Sequence, residues 1–360
     1  MSTPTRAPET SPVVPALEPT RVGRPLSRRF TPAVFGVLVV MAVVLGLLSE
    51  LNVVVLVLLV AVVGTLAVVG TSRVVEGGRK AKDRFVTCLV HGAFLLAMVP
   101  LVSLVWTVLS KGLERLDGEF FNSSMVGVVG PGGGAYHAIF GTLIITGITA
   151  LMSVPVGLLT AIYLVEYGRG PLKRWITFLV DVMTGIPSIV AGLFAYALFV
   201  LFFGPGVRMG FAGAVALSVL MIPVVVRSSE EVLKLVPNEL REASYALGVP
   251  KWRTVVKVVL PTALAGLGTA VTLAVARVIG ETAPLLVTVG ITNATNNDPF
   301  DGRMATLPVY AYYQLTQPGV PPENGIDRAW TAALVLIVIV LVLNLIARLI
   351  SRIFAPKTGR

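Results

Sequence analysis

Beyond residue 30 the chain is a succession of long apolar runs separated by short polar stretches. Eight runs stand out, at 32–49, 51–70, 85–109, 138–165, 176–203, 209–227, 262–290 and 330–350. Each approaches or exceeds the ~20 residues that carry a helix across the hydrocarbon core of a bilayer. The runs are continuous rather than alternating, which argues against the strands of a transmembrane β-barrel. The pattern predicts an all-α polytopic membrane protein. Only Glu50 separates the first two runs, so 32–70 predicts a tight transmembrane hairpin. The runs at 176–203 and 262–290 are longer than a span needs and contain Gly and Pro, which predicts a tilted or broken helix. Residues 1–31 are rich in Pro, Thr and Arg without apolar periodicity and predict a disordered tail. The first apolar run starts too far from the terminus for a cleavable signal peptide.

Composition agrees with this class. Of 360 residues, 55% are hydrophobic and 13% charged, too apolar for an ordinary soluble domain. Of 29 Lys and Arg residues, only Lys111, Arg115, Arg208, Arg303 and Arg328 fall in the loops of one side, and Arg277 falls inside a run. The rest lie in 1–31, 71–84, 166–175, 227–261 and the C-terminal tail. This asymmetry assigns that second side, with both termini, to the cytoplasm. The net charge of +10 is then a topology signal rather than a nucleic-acid footprint. A single cysteine, Cys88, excludes an internal disulfide, and His91 and His137 are too isolated for a metal cluster.

The loop within 228–261 is the most informative polar stretch. Pro237 suits a first helical turn, Gly248 a stop, Pro250 a second start and Pro261 its end. The prediction is helix, glycine turn, helix, the second carrying Lys251, Arg253 and Lys257 among valines. By periodicity alone it could lie on anionic lipid. The stretch EASYALG followed by VVLP resembles the cytoplasmic EAA loop of bacterial ABC importer permeases, with Ser244 where a second Ala is commonest. The resemblance implies a coupling helix that docks on a separate ATPase, with Glu242 as anchoring carboxylate, Ala243 beside it and Gly248 as the turn. The chain has no G-x-x-x-x-G-K-[ST] phosphate loop, so P-loop binding of ATP is not expected of it.

The run ARVIGETAPLL, 276–286, places Arg277 and Glu281 inside a span. Ionisable groups there cost several kcal/mol unless paired or facing a watery cavity. Their i,i+4 spacing predicts one helix face and an ion pair. Pro284 predicts a bend just beyond, and Pro187 a similar break. Thr184 and Ser188 could donate to an anion or simply back-bond to their own helix, and Asp181 could pair with a cation at the entrance or with Arg277. The small residues Gly266, Gly268, Thr269 and Thr272 predict close helix packing, and Tyr310, Tyr312 and Tyr313 an interface belt or a partner contact.

The same run resembles the signature of phosphate-specific ABC importer permeases of PstA type, as do GIPSIVAGL at 185–193 and the stretch around Leu307-Pro308-Val309-Tyr310. The resemblance covers roughly 85–355 and implies a type I, MetI-like permease core of six helices, to which the hairpin at 32–70 is extra. It implies a phosphate path through Arg277, Glu281, Ser188, Thr184 and Thr282. The planar guanidinium of Arg277 suits phosphate oxygens. Glu281 would hold Arg277 when phosphate is absent and repel the anion after release. It also implies a second permease subunit (PstC type), an ATPase dimer (PstB type) that uses ATP and Mg, and an external phosphate-binding protein (PstS type). The chain itself would be no enzyme and would hold no cofactor. Sulfate or molybdate as cargo, or an ion-coupled secondary phosphate transporter, are the alternatives.

Overall fold

A computed structural model describes residues 26–27, 29–48 and 52–354. Most of the expected tail, and Glu50 between the first two runs, lie outside the described residues. The described residues are helical with no strand among them, and seven helices are long and apolar enough to cross a membrane. The chain divides into two compact units, residues 1–104 and 105–360.

The first unit holds α1 (Phe30–Leu48), α2 (Val53–Val75) and most of α3 (Gly78–Gly112). Gly46 of α1 abuts Leu56, and Gly64 of α2 abuts Phe35, so α1 and α2 pack antiparallel. The glycines let two Leu- and Val-rich helices approach closely, which matters in lipid because packing rather than expulsion of water holds helices together there. Between α2 and α3 the Glu76 carboxylate is buried. It accepts from Arg84 Nε at 2.6 Å, from Ser72 Oγ at 2.7 Å and from the Leu26 amide at 2.7 Å. The Arg84 hydrogen bond, more than the opposing desolvation, holds the Glu76 carboxyl at about 2, below its ordinary 4.5.

The second unit is built around α8 (Gly210–Lys234). In α8's most apolar window, 67% of residues are buried. Two long helices flank it, α5 (Tyr136–Tyr167) and α10 (Lys251–Val278). A Cβ on Gly157 of α5 would come within 2.6 Å of Val225, and one on Gly266 of α10 within 2.5 Å of Val232. Thr149 of α5 also bonds the Ala214 carbonyl, so α5 runs parallel to α8. Helix α10 runs antiparallel, since its far end, Val278, shares a core with Leu217 and Met221. The remaining elements are the short α4 (Gly118–Asn122), α6 (Gly170–Thr184), α7 (Ser188–Phe203), α9 (Asn238–Ala246), α11 (Ala283–Thr288), α12 (Leu307–Thr316) and α13 (Pro322–Phe354).

The run at 176–203 is broken, as its Gly and Pro predict, into two helices, α6 and α7, meeting at 106° across Gly185-Ile186-Pro187. Two expectations change. Pro261 does not end a helix: α10 continues through it, with a π turn at Val255–Val259 just before. A proline clashes with the carbonyl four residues back and lacks a donor. The widened turn absorbs that conflict, and the surrounding bilayer favours an unbroken helix. Tyr310 is not part of a belt. It is buried edge-on against His137, whereas Tyr312 is exposed.

At the α12 end of α5 the packing leaves no room at Gly141, where a Cβ would overlap the Ala305 carbonyl oxygen. Gly141→Ala should lower the thermal midpoint of the detergent-solubilised protein by several degrees, since overpacking costs about 1–3 kcal/mol. Gly147→Ala, on the same helix with open space around it, should leave the midpoint unchanged or slightly raised. Equal midpoints for the two variants would refute this close approach. In the first unit, the depressed Glu76 carboxyl stabilises its cluster above pH 4.5, and that stability is lost as pH falls through about 2. Intrinsic-rate-corrected exchange of the Leu26 amide should therefore stay slow down to pH 4.5 and accelerate toward pH 2. Glu76→Gln should exchange fast throughout, and native-like protection in that variant would count against the cluster.

Candidate functional site

Arg277 lies in the last turn of α10. The helix ends at Val278, and a non-helical stretch at 279–282 precedes α11. Pro284 occupies the first turn of α11, where its missing N–H costs nothing. The break thus comes just before Pro284. Its depth follows from register. Gly266 abuts Val232 near one end of α8, and Leu285 and Val289 abut Gly213 near the other. Arg277 falls between these contacts, level with the middle of α8. It is exposed on this subunit.

The expected Arg277–Glu281 pair does not form: neither side chain has a hydrogen bond or ion pair among the described residues. The i,i+4 rule requires an unbroken helix, and Glu281 lies past its end. The C-terminal position still suits the cation, because the last carbonyls carry partial negative charge.

A second break adjoins the first. On α7, Gly192 sits directly against Pro284, with a Cβ there only 2.6 Å from the proline Cα. Helices α7 and α11 run in the same direction, since Phe199 meets Phe211 and the Thr288 carbonyl accepts from Met209 N, both at the start of α8. Ser188, one turn before Gly192, is therefore level with residues 280–282. Ser188, Glu281 and Thr282 are each half-buried. Thr184 belongs to α6, and its hydroxyl donates to the Asp181 carbonyl at 2.6 Å, so its proton is already used. Asp181 pairs with Arg227 of α8 rather than with Arg277. Arg227 also bonds Glu230 at 2.9 Å, and Glu230 bonds Lys234 at 2.8 Å. The chain of charges fastens the α6 elbow to the end of α8.

The loop after α8 folds as helix, turn, helix. Gly248 closes α9 at φ +73°, a left-handed conformation that favours glycine. Ser244 is buried and shares a 2.8 Å hydrogen bond with Thr254 of α10, so the serine at this position locks the two helices together. Glu242 and Ala243 are exposed. Beside them Leu247 is 83% and Trp252 58% exposed, and a shallow groove is lined by Leu240, Ala243, Leu247, Val249 and Arg253.

Residues 153–360 match the family model described as binding-protein-dependent transport system inner membrane component. One relative, phosphate transport system permease protein PstA 1 of Mycobacterium tuberculosis (strain ATCC 25618 / H37Rv), is 47% identical over 285 residues, covering 78% of this chain and 91% of the relative. The chain belongs to this family. A PstA of Pasteurella multocida (strain Pm70) is 38% identical, over 78% of this chain and 97% of the relative. A solved bacterial alginate ABC transporter, crystallised with an alginate pentasaccharide-bound periplasmic protein, is 14% identical over 78% of this chain and 97% of its own, with TM-score 0.51. At that identity it supports the permease fold alone.

As an inner membrane component the chain is a multi-pass membrane protein and one part of a multi-component ABC system. Within it, sequence reasoning missed Arg241. This side chain leaves the exposed face of α9 to bond Glu166 at 2.8 and 3.0 Å and the carbonyls of Val236 and Leu233 at 2.6 and 3.1 Å. It ties α9 to the ends of α5 and α8. The signal available was weak: one arginine in a polar helix and one glutamate 75 residues away. Arg241→Gln should raise amide exchange across 238–246 about tenfold or more, because buried charge-assisted bonds are lost. Unchanged protection would show that α9 is held by other contacts.

Proposed function

We propose that the chain is one transmembrane subunit of an ATP-driven phosphate importer, contributing half of the path between itself and a second, similar permease. The carrying observation is Arg277, an unpaired, exposed arginine level with mid-span at a helix break. An arginine facing lipid at that depth costs several kcal/mol, so it faces a watery path or a partner. A planar, permanently charged fork binds phosphate oxygens. The phosphate permease names of relatives at 47% and 38% identity support that cargo.

In this reading Arg277 attracts the anion, and Ser188 and Thr282 offer hydroxyls beside it from the adjoining breaks. Glu281 repels the anion as it leaves, which favours passage over retention. Thr184 would have to give up its bond to Asp181 before donating. The exposed loop around Glu242, Ala243, Leu247 and Trp252, turned by Gly248, docks on an ATPase dimer that uses ATP and Mg. An external phosphate-binding protein delivers substrate. The basic loops and both termini face the cytoplasm.

The test is labelled phosphate uptake in cells whose high-affinity route depends on this chain. Native uptake should be ATP-dependent and indifferent to sulfate. Arg277→Gln, at matched membrane abundance, should reduce it at least a hundredfold, since a group at the transition state for transfer is removed with nothing to replace its charge. Uptake that persists in an abundant Arg277→Gln protein would place the path elsewhere.

A further inference from the structure

Five basic residues occupy the side that the charge distribution assigns to the exterior. Three are engaged. Arg115 pairs with Asp117 and Glu119, Arg328 bonds the carbonyls of Gly130 and Gly132, and Lys111 lies over the Trp330 ring. Arg208 and Arg303 have no hydrogen bond or ion pair to their side chains among the described residues. They come from separate segments, one just before α8 and the other closing the loop between α11 and α12. Yet they converge. The point a Cβ on Gly290 would occupy is 3.0 Å from Arg208 Cδ and Nη1 and 3.6 Å from Arg303 Cδ.

The backbone beneath them is fixed. Gly290 is buried with φ +73°, Met209 N donates to the Thr288 carbonyl at 3.2 Å, and Asn296 Nδ2 donates to the Arg303 carbonyl at 3.0 Å. Two acids in the same loop leave the pair uncompensated. Asp298 caps the Phe300 amide at 2.9 Å, and Asp301 pairs with neither arginine. Two like charges whose stems meet at one point on a fixed backbone repel, and an anion bridging them offsets that cost. Gly290 closes the same broken span that carries Arg277, 13 residues earlier in the chain.

We propose that Arg208 and Arg303 form an anion-receiving site at the outer mouth, which takes free phosphate oxyanion after its release and passes it inward to Arg277. The proposal rests on the transport reading above. The side-chain-free Gly290 lets both arginines close over the entrance.

The experiment uses the complete transporter in proteoliposomes with its binding protein outside, and reads phosphate uptake and binding-protein-stimulated ATP hydrolysis together. Arg208→Gln and Arg303→Gln should each slow uptake about tenfold, as loss of a charge-assisted contact predicts, and the double variant more. Stimulated ATP hydrolysis should stay near native. Arg208→Lys and Arg303→Lys should recover a large part of the rate, and Gly290→Ala should slow uptake by crowding both arginines. Native-rate uptake in the double Gln variant would overturn the proposal. So would parallel loss of uptake and of stimulated hydrolysis, which would make the arginines a docking contact for the binding protein. Absence of uptake by the native transporter would instead overturn the transport reading itself.

Discussion

In hydrocarbon there is no water to satisfy a backbone group, so a spanning chain can leave helical geometry only where protein or enclosed water covers it. The second unit departs from helix twice at depth, at 185–187 and at 279–282, and the two departures are neighbours. Gly192 brings α7 against Pro284 at van der Waals contact, which puts each break under the start of the other's helix. Prolines stand at both restarts. Pro187 precedes α7 and Pro284 sits in the first turn of α11, positions where an absent N–H would have had no partner anyway. Residues that break helices are thus placed where breaking costs least, and the opened backbone is gathered into one region beside Arg277.

The ionic groups divide by the same logic. Where a charge is paired, it fastens elements. Arg241 joins α9 to Glu166 at the end of α5, and Arg227 joins the α6 elbow to α8 through Asp181 while holding Glu230. Removing either partner of such a pair would strand the other, so these joints are rigid while both are present. The exposed face of α9 is therefore tied to α5 and α8 by buried bonds rather than carried on a loose loop. Among the described residues Arg277, Arg208 and Arg303 have no such partners. The charges that hold the fold together are thus a different set from these three.

The span pattern was legible because hydrocarbon imposes long apolar runs whatever the tertiary structure. The helix, glycine turn, helix of the loop was legible for a similar reason: Gly248 needs a left-handed φ that few other residues adopt. The Arg277–Glu281 pair was misread because periodicity assumes a continuing helix, and the chain ends α10 at Val278, ahead of the proline that marks the bend. Pro261 was misread in the opposite sense, since a π turn can absorb a proline where the bilayer penalises a break. Arg241 and the convergence of Arg208 and Arg303 on Gly290 depend on contacts between distant segments, which local spacing does not carry.

A single subunit leaves Arg277 exposed level with the middle of α8, and that exposure constrains what must stand opposite. A surface bearing a bare guanidinium at this depth is not stable against lipid tails. The facing surface has to supply either water or polar groups, and it has to leave Arg277 unneutralised if an anion is to pass. In the proposed importer a second permease with a comparable broken span would meet both requirements, with two like half-paths lining one aqueous cleft. In that proposed importer Glu281, on the next stretch of chain beyond the helix end, would discourage an anion from staying without capturing the arginine itself. The helix break that separates the two residues is what keeps Arg277 from closing on Glu281 in a salt bridge.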